Sequence, residues 1–72
     1  MVQQPDAHPV RIRRITKNLT QLALARTVKL SPSRLCLIER RQAEPTLQEA
    51  KKLARALGAP LGDLFPQFTD IH

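Results

Sequence analysis

The side chains of this 72-residue chain best placed to act on another molecule are its cations. Between positions 10 and 43 lie Arg11, Arg13, Arg14, Lys17, Arg26, Lys29, Arg34, Arg40 and Arg41 against one acid, Glu39, a local charge of +8. From 44 to 72, Lys51, Lys52 and Arg55 stand against Glu44, Glu49, Asp63 and Asp70, a charge of −1. The net charge of +6 therefore sits on the N-terminal half. Scattered cations usually make no more than a solvated surface. Cations segregated to this degree attract a polyanion, and nucleic acid is the first polyanion they suit.

Other chemistries lack their residues. The two histidines, His8 and His72, lie at opposite ends, and Cys36 is the single cysteine. Paired carboxylates, a Cys/His cluster and a glycine-rich phosphate loop are all missing from the sequence. The expectation is a protein that is not an enzyme, with no metal, no cofactor and no small-molecule ligand. Cys36 cannot form an internal disulfide and reads as a small, partly buried residue. A redox role would need an exposed thiol of low pKa. RNA readers bring stacking aromatics, and this chain has two Phe with no Tyr or Trp. There is no 20-residue apolar run to cross a membrane, and the apolar stripes are needed for a core. Residues 1–8 lack the basic start and apolar stretch of a secretory signal, so an intracellular, soluble protein is expected.

The elements that must position the cations follow from periodicity and capping. The length allows one small domain. Residues 1–8 read as a flexible arm, 9–66 as the domain and 67–72 as a tail. Pro9 suits a first helical turn. Ile12, Ile15 and Leu19 form one helical stripe, and Asn18 can end that helix in a left-handed conformation. Thr20 caps a second helix with Leu24, Ala25 and Val28 inward. Ser31-Pro32 starts a third, running to about Arg40 with Leu35 and Ile38 inward. Thr46 and Glu49 have capping-box spacing at the head of a fourth helix, Leu47 to Leu57. Its stripe is Leu47, Ala50, Leu53, Ala54 and Leu57, and Gly58 terminates it. A short last helix runs from Pro60 to Phe65 and stops at Pro66. No strand pattern or repeat interrupts the series. The fold class is all-α, a compact bundle of four to five short helices.

The second and third helices, joined by Thr27-Val28-Lys29-Leu30, describe a helix-turn-helix over about 20–40. Leu30 can tuck between the two and fix their angle, leaving the later helix to project toward a DNA major groove. Arg14, Leu19-Thr20-Gln21, Leu24-Ala25, Leu30-Ser31, Leu35, Ile38-Glu39 and Pro45-Thr46-Leu47 stand in an ordered set. Leu53 to Gly58 and Leu61 to Phe65 follow it. Over about residues 10–65 this pattern resembles the Cro/cI-type, or XRE, helix-turn-helix family. The resemblance implies a lambda-repressor-like domain that binds double-stranded DNA. The chain departs from the family where glycine is usual, with Lys29 in the turn and Arg41 after the Glu39-Arg40 pair. A left-handed Lys29 costs roughly 1 kcal/mol relative to glycine.

The resemblance also implies roles. Ser31, Pro32, Ser33, Arg34 and Leu37 occupy positions that face base edges in the family. Arg34 could pair with guanine or hold a phosphate, Ser33 could bond to either, and Leu37 would suit a thymine methyl group. Pro32 serves mainly to start the helix. Thr20 and Gln21, at a helix N-terminus, are implied to reach a DNA phosphate. Arg40, Arg41 and Gln42 fit a phosphate-contacting loop, with Lys17 and Arg13 flanking the same backbone. Arg11, Arg26, Lys51, Lys52 and Arg55 read as solvated surface. Arg14 and Glu39 are implied to be a structural ion pair joining the first helix to the end of the third.

The expected function is sequence-specific DNA binding by a transcriptional regulator, a repressor acting as a homodimer on an inverted repeat. The dimer surface is expected in the C-terminal part, where Leu61, Phe65 and Phe68 offer apolar area. With no second domain expected, regulation would come from abundance, dimerisation or a protein partner. The alternative is a protein-interaction module on the same fold, an antitoxin or antiactivator. Either would be cytoplasmic, encoded by a bacterium or phage, and nucleoid-associated when bound to DNA.

Overall fold

The computed structural model describes residues 7–68. The chain runs through α1 (Pro9–Thr16), α2 (Gln21–Val28), α3 (Pro32–Glu39), α4 (Leu47–Leu57) and α5 (Leu61–Leu64), then one 3₁₀ turn, Pro66–Phe68. No strand occurs among the described residues. Helix α2 packs on α3, and α4 lies across α2, α1 and α5.

Each start signal in the sequence caps a helix. The Thr20 hydroxyl accepts from the Ala23 N–H, and the Ser31 hydroxyl accepts from the Arg34 N–H ahead of Pro32. Thr46 and Glu49 close a reciprocal capping box on α4.

The four longer helices also end alike. Asn18, Lys29, Arg41 and Gly58 take positive φ of 59°, 61°, 62° and 64°. The next residue then donates its N–H to the carbonyl five positions back: Leu19 to Arg14, Leu30 to Ala25, Gln42 to Leu37 and Ala59 to Ala54. This is the Schellman closure, which satisfies carbonyls that a helix end would leave open. Leu19, Leu30 and Ala59 come out of it pointing inward and pack on the core. Three of the four turns close on a residue other than glycine.

The core is built from Val10, Leu24, Ala25, Val28, Leu35, Ile38, Ala50, Leu53, Ala54, Leu57, Leu64 and Phe65. Four expectations need correction. Ile12 and Ile15 do not line the interior; they are 52% and 49% exposed, and α1 turns Val10 and Arg14 inward instead. A polar residue takes the central inward position of that helix because Glu39 is there to pair with it, so the apolar stripe marks the wrong face. Leu47, at the head of α4, is likewise exposed. Phe65 is fully buried, which removes it from any dimer surface, and Leu61 and Phe68 are half-buried against the core.

The fourth correction concerns His8, which belongs to the fold rather than to an arm. It is buried, its Nδ1 accepts from the Val10 N–H at 3.0 Å to cap α1, and its ring lies 5.3 Å from that of Phe65. Phe68 meets Phe65 edge-on at 6.3 Å, so packing extends past Pro66. The remainder of the expected arm and tail, 1–6 and 69–72 with His72, lies outside the described residues.

Candidate nucleic-acid interface

Glu39, at the last turn of α3, is the polar centre of the molecule. Arg14 approaches it from α1 with two bonds, Nε to Oε2 at 2.8 Å and Nη2 to Oε1 at 3.2 Å. The third guanidinium nitrogen, Nη1, donates to the Leu19 carbonyl at 2.8 Å, and Gln21 Nε2 donates to Glu39 Oε1 at 3.0 Å. The ion pair therefore fixes α1, the α1–α2 turn, the first residue of α2 and the end of α3 against one another. Its side chains are 10% and 2% exposed, and every buried polar side-chain atom among the described residues has a partner. A buried pair is tolerable only when its remaining hydrogen-bonding capacity is met in this way.

Gln21 was expected to face a phosphate, yet one amide hydrogen is taken by Glu39. The amide's second hydrogen remains for another acceptor. Gln21 lines an open polar groove with Thr20, Arg40 and Gln42, together with Arg11, Cys36 and the Arg14–Glu39 pair. Thr20, Gln21, Arg40 and Gln42, four of the seven residues expected along the phosphate backbone, thus share one groove. Lys17 and Arg41 are exposed but do not line it. Arg11, solvated surface by its sequence, also lines the groove, one turn from Arg14 on the same face of α1.

The N-terminal face of α3 lies open. Ser31, Pro32 and Ser33 are exposed, and Leu37 is 41% exposed one turn beyond Ser33. Arg34 is different. Its Nε and Nη2 donate to the Glu49 carboxylate at 3.3 and 2.9 Å, and Nη2 also donates to the Glu44 carbonyl at 2.8 Å. The hydrogen bond from Arg34 is the main reason the Glu49 carboxyl is held below its ordinary range, against the effect of burial. The same bond raises Arg34. In this placement Arg34 ties α3 to α4 and to the loop between them. Arg13, expected to flank the DNA backbone, pairs with Asp63 at 3.0 Å.

A sequence model of the helix-turn-helix family matches residues 10–64. The chain belongs to the Cro/cI-type, or XRE, family of helix-turn-helix domains. Solved structures of similar fold include the restriction-modification controller protein C.AhdI from Aeromonas hydrophila, 35% identical with a TM-score of 0.74. That match covers 79% of this chain and 86% of C.AhdI. The clp gene regulator ClgR from Corynebacterium glutamicum is 29% identical with a TM-score of 0.75, over 82% of this chain and 63% of ClgR. The chain thus spans less than two thirds of that regulator. The hypothetical transcription factor NHTF from Neisseria is 28% identical with a TM-score of 0.77, over 93% of this chain and 88% of NHTF. Curated proteins offer no match. In this XRE domain the Gln21–Glu39 bond holds the end of α3 against the first residue of α2, and both residues line the groove.

Proposed function

We propose that the chain is a sequence-specific double-stranded DNA-binding regulator, a repressor that acts as a homodimer on an inverted-repeat operator. The observation that carries this reading is the exposed N-terminal face of α3 beside a groove that holds Thr20, Gln21, Arg40 and Gln42. In that reading α3 enters the major groove with Ser31, Pro32, Ser33 and Leu37 toward the bases. Thr20, Gln21, Lys17, Arg40, Arg41 and Gln42 hold the phosphate backbone, which sets orientation but carries no sequence information. Leu61 and Phe68 supply the apolar part of the dimer surface. The regulator neighbours and the family support a binding role over an enzymatic one. No described helix is long and apolar enough to cross a membrane, which suits a cytoplasmic protein of a bacterium or phage.

Selection of the purified chain against a random duplex library at near-physiological salt tests the reading. The expected product is an inverted repeat with half-site centres about 10–10.5 base pairs apart, or a multiple of that. Enrichment of no motif overturns it. The alternative, a protein-interaction module such as an antitoxin or antiactivator, draws on exposed Leu37, Leu22, Ile12 and Ile15. It requires a stable heterocomplex and weak salt dependence of any DNA binding.

A further inference from the structure

The face of α3 turned outward carries few groups able to read a base. Ser31 and Ser33 offer hydroxyls, and the Ser31 oxygen already accepts the Arg34 N–H. Pro32 has no polar side-chain atom. Leu37 lies four residues beyond Ser33 on the same face and leaves 41% of its surface open in the middle of a helix whose other leucine, Leu35, is fully buried.

Arg34 has the one side chain here built for two-pronged recognition of guanine, and three of its five donor hydrogens are engaged within the fold. Nη2 carries two hydrogens: one goes to Glu49 Oε1 and the other to the Glu44 carbonyl. Nε goes to Glu49 Oε2. Both forked edges of a guanidinium include Nη2 or Nε, so neither edge can be offered to a base while these bonds hold. Glu49 Oε1 also accepts the Thr46 N–H at 2.9 Å, which builds the pair into the cap of α4 and into the loop that leads there from Arg40.

We propose that Leu37 is the discriminating residue of α3, reading a thymine methyl group, and that Arg34 is a positioning residue that holds α3 against the α3–α4 loop. This rests on the DNA-reading function above. The thymine 5-methyl is the one apolar group that base pairs present in the major groove, so it is what an exposed leucine on a groove-facing helix can distinguish.

The test takes the duplex selected by the chain and replaces each thymine in turn by deoxyuridine, which removes the methyl and nothing else. One thymine per half-site is expected to weaken binding about fourfold when replaced, the weight of one buried methyl group. Leu37→Ala, at an exposed position where folding is kept, is expected to bind weakly and to lose that uracil effect. Specific binding that ignores every uracil, or a uracil effect that survives Leu37→Ala, overturns the methyl reading. Failure to select any duplex overturns the DNA-reading function itself.

The assignment of Arg34 is tested by base preference. Arg34→Gln is expected to weaken all sequences by one common factor and leave the preferred bases unchanged. Glu49→Gln keeps an acceptor for Thr46 but loosens Arg34, and it is expected to weaken binding in the same uniform way. If Arg34 reads guanine, Arg34→Gln relaxes preference at one G·C pair and Glu49→Gln sharpens it, and the proposal falls.

Discussion

Glu39 gathers donors from α1 and α2, and its carboxylate is 2% exposed. Removing it leaves the Arg14 guanidinium in a site 10% open to water, with the Leu19 carbonyl as its remaining hydrogen-bond partner. Glu39→Ala is therefore expected to destabilise the domain by about 3–5 kcal/mol. Urea unfolding measures this, and a loss no larger than that of an exposed ion pair would mean the centre is not as dry as its geometry. His8 works through protons. Burial holds its imidazole below the ordinary 6.5, the Arg41 charge adds to the depression and Glu39 opposes it. In the unfolded chain the ring protonates near 6.5, so below that value the unfolded state binds more protons and stability falls with pH. The stabilisation is complete above 6.5 and is lost as pH falls through the folded value. A protonated Nδ1 can no longer accept the Val10 N–H. His8→Asn keeps a capping acceptor without the titration. It is expected to be less stable near neutrality, where its packing on Phe65 is missed, and to show a flatter loss of melting temperature between about pH 7.5 and about pH 5.5. An unchanged slope would assign the titration elsewhere.

At the level of elements, four helix ends use one closure, and only α4 closes it with glycine. Lys29 and Arg41 hold left-handed φ at a cost a glycine would not have. Lys29→Gly is expected to gain up to about 1 kcal/mol, the strain relieved less the extra freedom of the unfolded chain. Arg41→Gly relieves the same backbone strain and is expected to weaken DNA binding, because the side chain removed belongs to the proposed phosphate set. Thermal melts and binding measured on the same two variants separate these effects: equal weakening by both would place Lys29 at the DNA or remove Arg41 from it. These boundaries were legible because they are local. Thr20, Ser31-Pro32, Thr46 with Glu49, and Gly58 carry their signal within three or four residues. The facing of α1 was not local. Ile12 and Ile15 give a clean stripe, and what overrules it is a carboxylate 25 positions away that draws Arg14 inward. The family pattern implied that pair where periodicity could not. Phe65 and His8 illustrate the same limit, since an aromatic near one end and a histidine near the other find each other only when the ends meet.

For the whole molecule, the +8 of the N-terminal half overstates what a polyanion meets. Arg13, Arg14 and Arg34 are drawn to Asp63, Glu39 and Glu49, two of those acids contributed by the weakly acidic C-terminal half. The sequence shows the charge asymmetry and, through its family pattern, the Arg14–Glu39 pair, but not Arg13–Asp63 or Arg34–Glu49, because ion pairs across a fold depend on which helix faces meet. Among the proposed phosphate residues, Lys17, Arg40 and Arg41 carry formal charge, and they are exposed. Counterion release makes the consequence measurable, since each neutralised phosphate adds about 0.9 to the slope of log affinity against log salt. Arg40→Gln combined with Arg41→Gln is expected to lower that slope by roughly two per protomer and leave the selected sequence unchanged. Lys51→Gln combined with Lys52→Gln removes the same charge from the exposed side of α4 and is expected to leave the slope nearly as it was. If the two pairs lower it equally, the DNA responds to net charge alone, and the α3–α4 loop has no special place on the backbone. If only the first pair does, the groove beside α3 is where the phosphates run.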